Sequence, residues 1–224
     1  MEVTDELIDQ LEKIRNDPWE FLKLVRTKDQ VDKLRPIKPY PVHLEYLRLY
    51  VRLWQRENKI AVPKSRRMLM SWTNISLFTW DALFHRNRDF AFVSKKEEDA
   101  ADLVDRAQFI IDNLDITQFP KELIPRYQKK FGALYIPDLD SKIRGFPQGE
   151  DQLRQYTFSG LLFDECAFWE KAEQSFSASL PTIDSVSEGG GGRIVMLSSP
   201  APGFFKRLVH DELDRDPEKG SLLV

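Results

Sequence analysis

Cysteine is nearly missing from this chain: Cys166 is the one thiol among 224 residues. That excludes an internal disulfide and suits a reducing compartment. No apolar run approaches the ~20 residues needed to cross a bilayer, and nothing resembles a secretory signal. The expectation is a protein of the cytosol or an equivalent space that has no membrane partner. Excess charge of one sign is also lacking. With a formal net charge of −3 and a pI near 5.7 there is no overall basic field, so any grip on nucleic acid has to be local or shared between subunits. What remains is an ordinary globular composition, 42% hydrophobic and 31% charged. A chain of this length can bury roughly 70% of its unfolded surface in one core, so one domain with decorations is expected.

Glycine is missing from the stretch around which the chain is organised. From Asn58 the sequence reads NKIAVPKSRRMLMSW. A short apolar run (Ile60, Ala61, Val62) opens into a cationic, hydroxyl-bearing loop (Lys64, Ser65, Arg66, Arg67) and closes on Ser71, where an apolar helical segment starts. Strand, loop and helix in that order describe a phosphate-binding loop: the helix N-terminus offers unpaired N–H groups and the cations add charge. The consensus GxxxxGK[ST] is not met, however. Met70 stands where the lysine belongs, Leu69 where the second glycine belongs, and Lys64 where the first does. A basic surface loop is the plain alternative.

Upstream, residues 1–57 read as helical with no strand-like run. Leu7, Leu11 and Ile14 recur at helical spacing. Asp17 then caps a helix whose first residue is Pro18, with Trp19, Leu22 and Val25 facing inward. Pro36, Pro39 and Pro41 force an extended crossing before another helix carries Leu44, Leu47, Val51 and Trp54 inward. Downstream, Trp72 to Phe84 is apolar nearly all round and predicts a buried helix. Asp89 to Val93 reads as a buried strand. Ser94 and Glu97 read as a capping box for a long helix with Ala100, Leu103, Ala107, Ile110 and Leu114 facing inward. This alternation predicts parallel βαβ units. Phe131–Ile136 and Ser141–Phe146 read as an antiparallel insertion, followed by a polar loop to Arg154.

Two later elements complete a pattern. The apolar run Tyr156 to Phe163 ends in Asp164-Glu165, a Walker B pattern. Asp164, at the strand end, would hold Mg²⁺ together with Ser71, and Glu165 would act as general base toward water. Such a strand end is common by itself; its weight comes from following a phosphate loop in order. After the glycine turn Gly189–Gly192, Arg193 to Leu197 forms another buried strand ending in Ser198-Ser199-Pro200, whose hydroxyls can exchange a phosphate for a backbone partner. A helix is expected to start at Phe204 and run to Leu213.

The runs Asp17 to Phe21, Tyr40 to His43, Lys64 to Ser71, Ser141 to Arg154, Leu162 to Phe168 and Ser198 to Pro200 together resemble the ATPase half of the large terminase subunits of tailed phages, over residues 17 to 205. In that family the loop lysine can stand at the front of the loop, and a lysine's flexible stem makes the shift chemically tolerable. Departures are Leu69 for the loop glycine, His43 for an adenine-reading glutamine, and Gln155 where an Arg-Gly pair is frequent.

The resemblance implies an α/β P-loop NTPase of the additional-strand, catalytic-glutamate class, with residues 1–57 packed as a helical extension on a core of residues 58–224. It implies ATP and Mg²⁺ as ligands. Nucleotide contact is expected from Lys64, Ser65, Arg66, Arg67, Met68, Leu69, Met70, Ser71 and Trp72, with His43 at the adenine position. Asp164 and Ser71 would hold the metal. Glu165 and Arg67 would be catalytic, Arg67 preferred over Arg66. Ser198, Ser199 and Pro200 would couple γ-phosphate loss to motion. Arg154, or Arg144 in its place, each taken as sitting in a loop just before the strand that ends in Asp164-Glu165, would act on a neighbouring subunit's site. The implied work is packaging of double-stranded DNA by a ring on a viral prohead, with a portal protein and a small terminase subunit as partners, in the cytoplasm of an infected bacterium. In isolation a monomer is expected. No carboxylate-bearing nuclease sheet follows before Val224, which reads as an ATPase piece of a longer protein. Two rivals are another nucleic-acid-dependent, helicase-like motor, and a non-hydrolysing assembly module with a decayed pocket, the latter motivated by Leu69 and Met70.

Overall fold

Asp17 and Pro18 organise the start of the molecule. In the computed structural model, which describes residues 5–29, 31–115, 117, 120–149, 151–184 and 192–211, α1 (Asp5–Asn16) ends here and α2 (Pro18–Leu22) begins. The Asp17 carboxylate accepts the Trp19 N–H at 2.9 Å, and Pro18 sits where a helix has no use for an N–H. Trp19, Leu22 and Val25 are buried as their spacing predicts. The segment is not wholly helical, though. β1 (Arg26–Lys28) and β2 (Ile37–Pro39) pair antiparallel, Arg26 opposite Pro39. Neither triplet has the apolar alternation that announces a strand, and a two-stranded ribbon has an outer edge on which Pro39 is tolerated. α3 (Glu45–Arg56) then buries Leu47, Tyr50, Val51 and Trp54.

Seven strands form the core sheet: β3 (Lys59–Pro63), β4 (Asp89–Ser94), β5 (Gln128–Lys130), β6 (Ala133–Ile136), β7 (Ser141–Pro147), β8 (Gly160–Asp164) and β9 (Arg193–Ser198), in the order β3-β9-β8-β4-β7-β6-β5. The first five of that order run parallel, and β6 and β5 add an antiparallel edge. The continuous apolar runs of β4, β8 and β9 are explained by burial on both faces. On one face lie α4 (Met70–Phe84) and α5 (Glu97–Asp112), with the N-terminal helices packed beyond. On the other lie α6 (Ala172–Asp184) and α7 (Phe204–Lys206), the latter running on as a π-helical turn, Arg207–Asp211. Leu213 and Gly189–Gly191 lie outside the described residues. Among the described residues no helix is long and apolar enough to cross a membrane.

Phe78 of α4 is the packing hub, its ring 5.1 Å from Phe90 and 5.8 Å from Trp54. Gly160 makes that possible: a Cβ there would stand 2.7 Å from the Phe78 ring. Likewise a Cβ on Gly145 would stand 2.8 Å from the Ala100 carbonyl oxygen, so α5 rests directly on β7.

Two expectations are corrected. Ser141–Pro147 is not part of an insertion: β7 pairs antiparallel with β6 but also parallel with β4, making it an inner strand. Partners so remote in sequence leave no local trace. Ser94 is not a helix cap either. It is the last residue of β4, opposite Pro147, and α5 starts later from Lys96, whose side chain makes no capping bond.

Candidate active site

Register brings three strand ends together. Pro63 of β3 lies opposite Ser198 of β9, and Leu197 lies opposite Asp164 of β8. The Lys64 N–H extends the ladder by one step, donating to the Ser198 carbonyl at 2.9 Å. β9 thus stands between the strand that opens the basic loop and the strand that ends in Asp164-Glu165.

The loop follows a glycine-like path without glycine. Arg67 and Leu69 have φ of 64° and 56°, in the left-handed region, at a strain of about 1–2 kcal/mol each. Leu69 is the N-cap of α4, and its carbonyl accepts both the N–H (2.8 Å) and the hydroxyl (2.9 Å) of Thr73. Met70, at the consensus lysine position, is buried in the core, so no cation can work from there. Ser65, Arg66, Arg67 and Met68 form an exposed rim. Tyr46 anchors that rim to α3, its hydroxyl donating to the Met68 carbonyl at 3.2 Å. His43 is exposed in the turn just before α3.

Six residues meet beneath the loop. The Ser71 hydroxyl donates to Asp164 Oδ1 at 2.7 Å. Lys64 Nζ donates to Glu165 Oε1 at 2.5 Å, its side chain only 8% exposed. The other Glu165 oxygen accepts the Ser199 N–H at 3.0 Å and the Ser198 hydroxyl at 3.4 Å. Ser198 is fully buried and its oxygen accepts the Ala167 N–H at 3.1 Å, so the segment after β8 is pinned to the end of β9. Glu165 itself is left-handed, φ 54°, a bend that turns its side chain away from the line of the strand.

The two carboxyls are driven apart. Burial raises that of Asp164 above the usual range, against the pull of the Ser71 hydroxyl and of the Lys64 and Arg106 cations. Partial burial acts the same way on Glu165, but the Lys64 ammonium and Ser199 N–H outweigh it and hold that carboxyl low. Burial pushes the Cys166 thiol up, and its Sγ lies 3.7 Å from the Leu197 carbonyl, which makes it a packing group.

The site therefore gathers Lys64, Ser71, Asp164, Glu165, Ser198 and Ser199. Pro200 follows them, exposed. Arg154 stands apart in the exposed turn of residues 151–155, held by the fully buried Leu153. Arg144 is corrected: it is on β7, not in a loop, with a two-pronged bond to Asp89 (2.7 and 3.3 Å) and its guanidinium 4.0 Å from the Tyr156 ring. It cannot reach another subunit without breaking both. Sequence reasoning missed Tyr46 and Arg106. Tyr46 sits one helical turn after His43, a usable signal; Arg106 reads as one more charge on a solvated helix.

No family model and no curated relative matches the sequence. Solved structures match the fold, whose class is a mainly parallel, P-loop-like sheet flanked by helices. Within that class it is the fold of phage large terminase ATPase domains. The large terminase of bacteriophage HK97 superposes on 82% of this chain with a TM-score of 0.60 at 8% identity, over 37% of its own length. That of a thermophilic bacteriophage, in complex with ADP, superposes on 76% with a TM-score of 0.51 at 18% identity, over 40% of its length. A mutant ATPase domain from Thermus phage P74-26 superposes on 82% with a TM-score of 0.50 at 14% identity, over 74% of its length. The chain spans about two fifths of the length of the HK97 and thermophilic-phage terminases.

Proposed function

We propose that this chain is an Mg²⁺-dependent ATPase, the motor domain of a viral DNA-packaging terminase, belonging to the additional-strand, catalytic-glutamate class. The observation that carries this reading is the pair of contacts joining loop to strand end, Lys64 to Glu165 and Ser71 to Asp164. Together they put a cation, a hydroxyl and two carboxyls of opposite tuning at one point, the equipment phosphoryl transfer requires.

Lys64 and the loop N–H groups hold the β- and γ-phosphates, and Arg67 reaches a γ oxygen from the rim. Hydrolysis joins a water oxygen to the γ-phosphorus and breaks its bond to the β–γ bridging oxygen, and Glu165 accepts the water's proton. Glu165 is engaged at both oxygens by Lys64 and Ser199. A triphosphate that draws Lys64 onto itself releases Oε1 for water. Ser198 and Ser199, bonded to the same carboxylate, transmit its change of partner into β9 and Pro200.

Ser71 and Asp164 suit Mg²⁺: both offer hard oxygen, and a buried carboxylate with one hydroxyl donor gains from a cation. Among the described residues no group of three or more His, Cys, Asp or Glu side chains forms a metal cage, which fits an ion held through few protein ligands and substrate phosphates. When bound, Mg²⁺ neutralises charge on the phosphates.

Arg154 serves a neighbouring subunit, which implies a ring working on double-stranded DNA at a portal, with a small terminase subunit as partner, in the host cytoplasm. His43, exposed in the turn three residues before Tyr46, reads the base. The left-handed Leu69 supports an intact loop over a decayed one. ATP binding and turnover by the parent, Glu165→Ala and Lys64→Ala chains test the proposal; a parent chain that neither binds nor hydrolyses ATP with Mg²⁺, even concentrated, overturns it.

A further inference from the structure

Resting on the ATPase reading, we propose that Arg106 is a nucleotide-binding residue: its guanidinium, laid over Trp72, contacts the phosphates from the side of the site opposite Lys64.

Trp72 directly follows Ser71, whose hydroxyl is on Asp164 at 2.7 Å. Two residues of α5 hold its ring. Phe109 packs edge-on, centroids 5.7 Å apart, and the Arg106 guanidinium lies 5.8 Å from the ring centroid. Arg106 and Phe109 are three apart on α5 and so share a face. The cation is thereby fixed next to the first turn of α4, whose N–H groups point toward any bound anion.

Arg106 has no hydrogen-bond or ion-pair partner among the described residues. The other half-buried arginines do: Arg26 bonds Asp115, Arg88 pairs with Asp81, Arg144 bonds Asp89 and Arg193 bonds the Glu57 carbonyl. A half-buried guanidinium carries five donors in a rigid fork that suits phosphate oxygens. Topology supplies the direction. Lys64 comes from β3 at one end of the sheet; α5 lies over β7, beyond β4, because Gly145 admits it. Asp164 on β8 lies between, and feels both cations. A nucleotide centred on Ser71 and Asp164 therefore meets a lysine on one flank and an arginine on the other.

The test titrates Mg–ATP and Mg–ADP by calorimetry into the parent chain, Arg106→Gln and Arg106→Lys, with thermal melting of each. Removing one charged hydrogen-bonding partner should weaken Mg–ATP by about tenfold or more in Arg106→Gln. Arg106→Lys should recover part of that loss, and the melting temperatures should stay within ~2 °C of the parent. A dissociation constant for Arg106→Gln within about twofold of the parent overturns the proposal and leaves the ATPase reading standing. So does lost binding matched by a large fall in melting temperature that Arg106→Lys shares, since that marks a packing role. A parent chain that binds neither nucleotide overturns both.

Discussion

Lys64 Nζ and Glu165 Oε1 are 2.5 Å apart, so the residue proposed to hold phosphate and the residue proposed to activate water hold each other. The two substitutions should separate their roles. In Glu165→Ala turnover should fall by about 10²–10⁴-fold, the usual worth of a general base, while ATP binding is retained because Lys64 is released to the phosphates. Lys64→Ala should lose affinity and turnover together. ATPase rates and nucleotide titrations on the same preparations check this; normal hydrolysis in both variants removes the assignment.

Asp164 is a buried acid whose ionised form the fold disfavours. Its folded pKa lies above the unfolded one, so the folded state binds the proton more tightly. The destabilisation is fully present above the folded pKa and is relieved as pH falls through it toward the unfolded value. Asp164→Asn keeps an acceptor for Ser71 and removes the charge. At neutral pH it should melt a few degrees higher than the parent, and the gap should narrow as the pH is lowered. Hydrolysis should be abolished. Melting curves across pH check the sign; a lower melting temperature for Asp164→Asn at neutral pH refutes this account of burial.

Leu69 occupies a glycine position in a glycine's conformation. Leu69→Gly should leave the melting temperature equal to or above the parent's, because relief of about 1–2 kcal/mol of left-handed strain offsets lost packing, and should leave ATP affinity near the parent's. Leu69→Val, with a branched β-carbon, should lose stability and binding together. Equal melting temperatures for the two variants would mean that the strain is absorbed elsewhere.

The parts of the fold legible in the sequence are those whose cause is local. Asp17-Pro18 fixes a cap by its own chemistry, and β4, β8 and β9 declare themselves as apolar runs because they are buried on both faces. The Lys64 to Ser71 loop and the Asp164-Glu165 strand end were readable as separate patterns. Their meeting depends on β9 standing between β3 and β8, a pairing of distant segments. For the same reason β7 was misplaced and Arg144 taken for a loop residue, when its partners Asp89 and Tyr156 lie far from it in the chain. Arg106 was invisible because a cation's role is set by what stands opposite, and Trp72 belongs to another helix.

Arg154 is exposed in the turn before β8, outside the cluster around Glu165, so its proposed action needs a second chain. In a closed ring each site then combines Glu165 of one subunit with Arg154 of the next. Three outcomes follow. The rate per chain of the parent should rise with concentration. Arg154→Ala should lose roughly 10³-fold or more at concentrations where the parent is assembled, the worth of an arginine supplied in trans. Mixing inactive Arg154→Ala with inactive Glu165→Ala should restore activity, because some interfaces then pair an intact Glu165 with an intact Arg154. Arg144→Ala offers the contrast: it leaves the half-buried Asp89 with Lys142 as its one remaining cation among the described residues and removes the two-pronged bond, so it should lose stability, and mixing with Glu165→Ala should rescue nothing. Steady-state hydrolysis across a mixing series measures all of these. A parent rate per chain independent of concentration, with no recovery on mixing, would assign Arg154 to the surface of its own subunit.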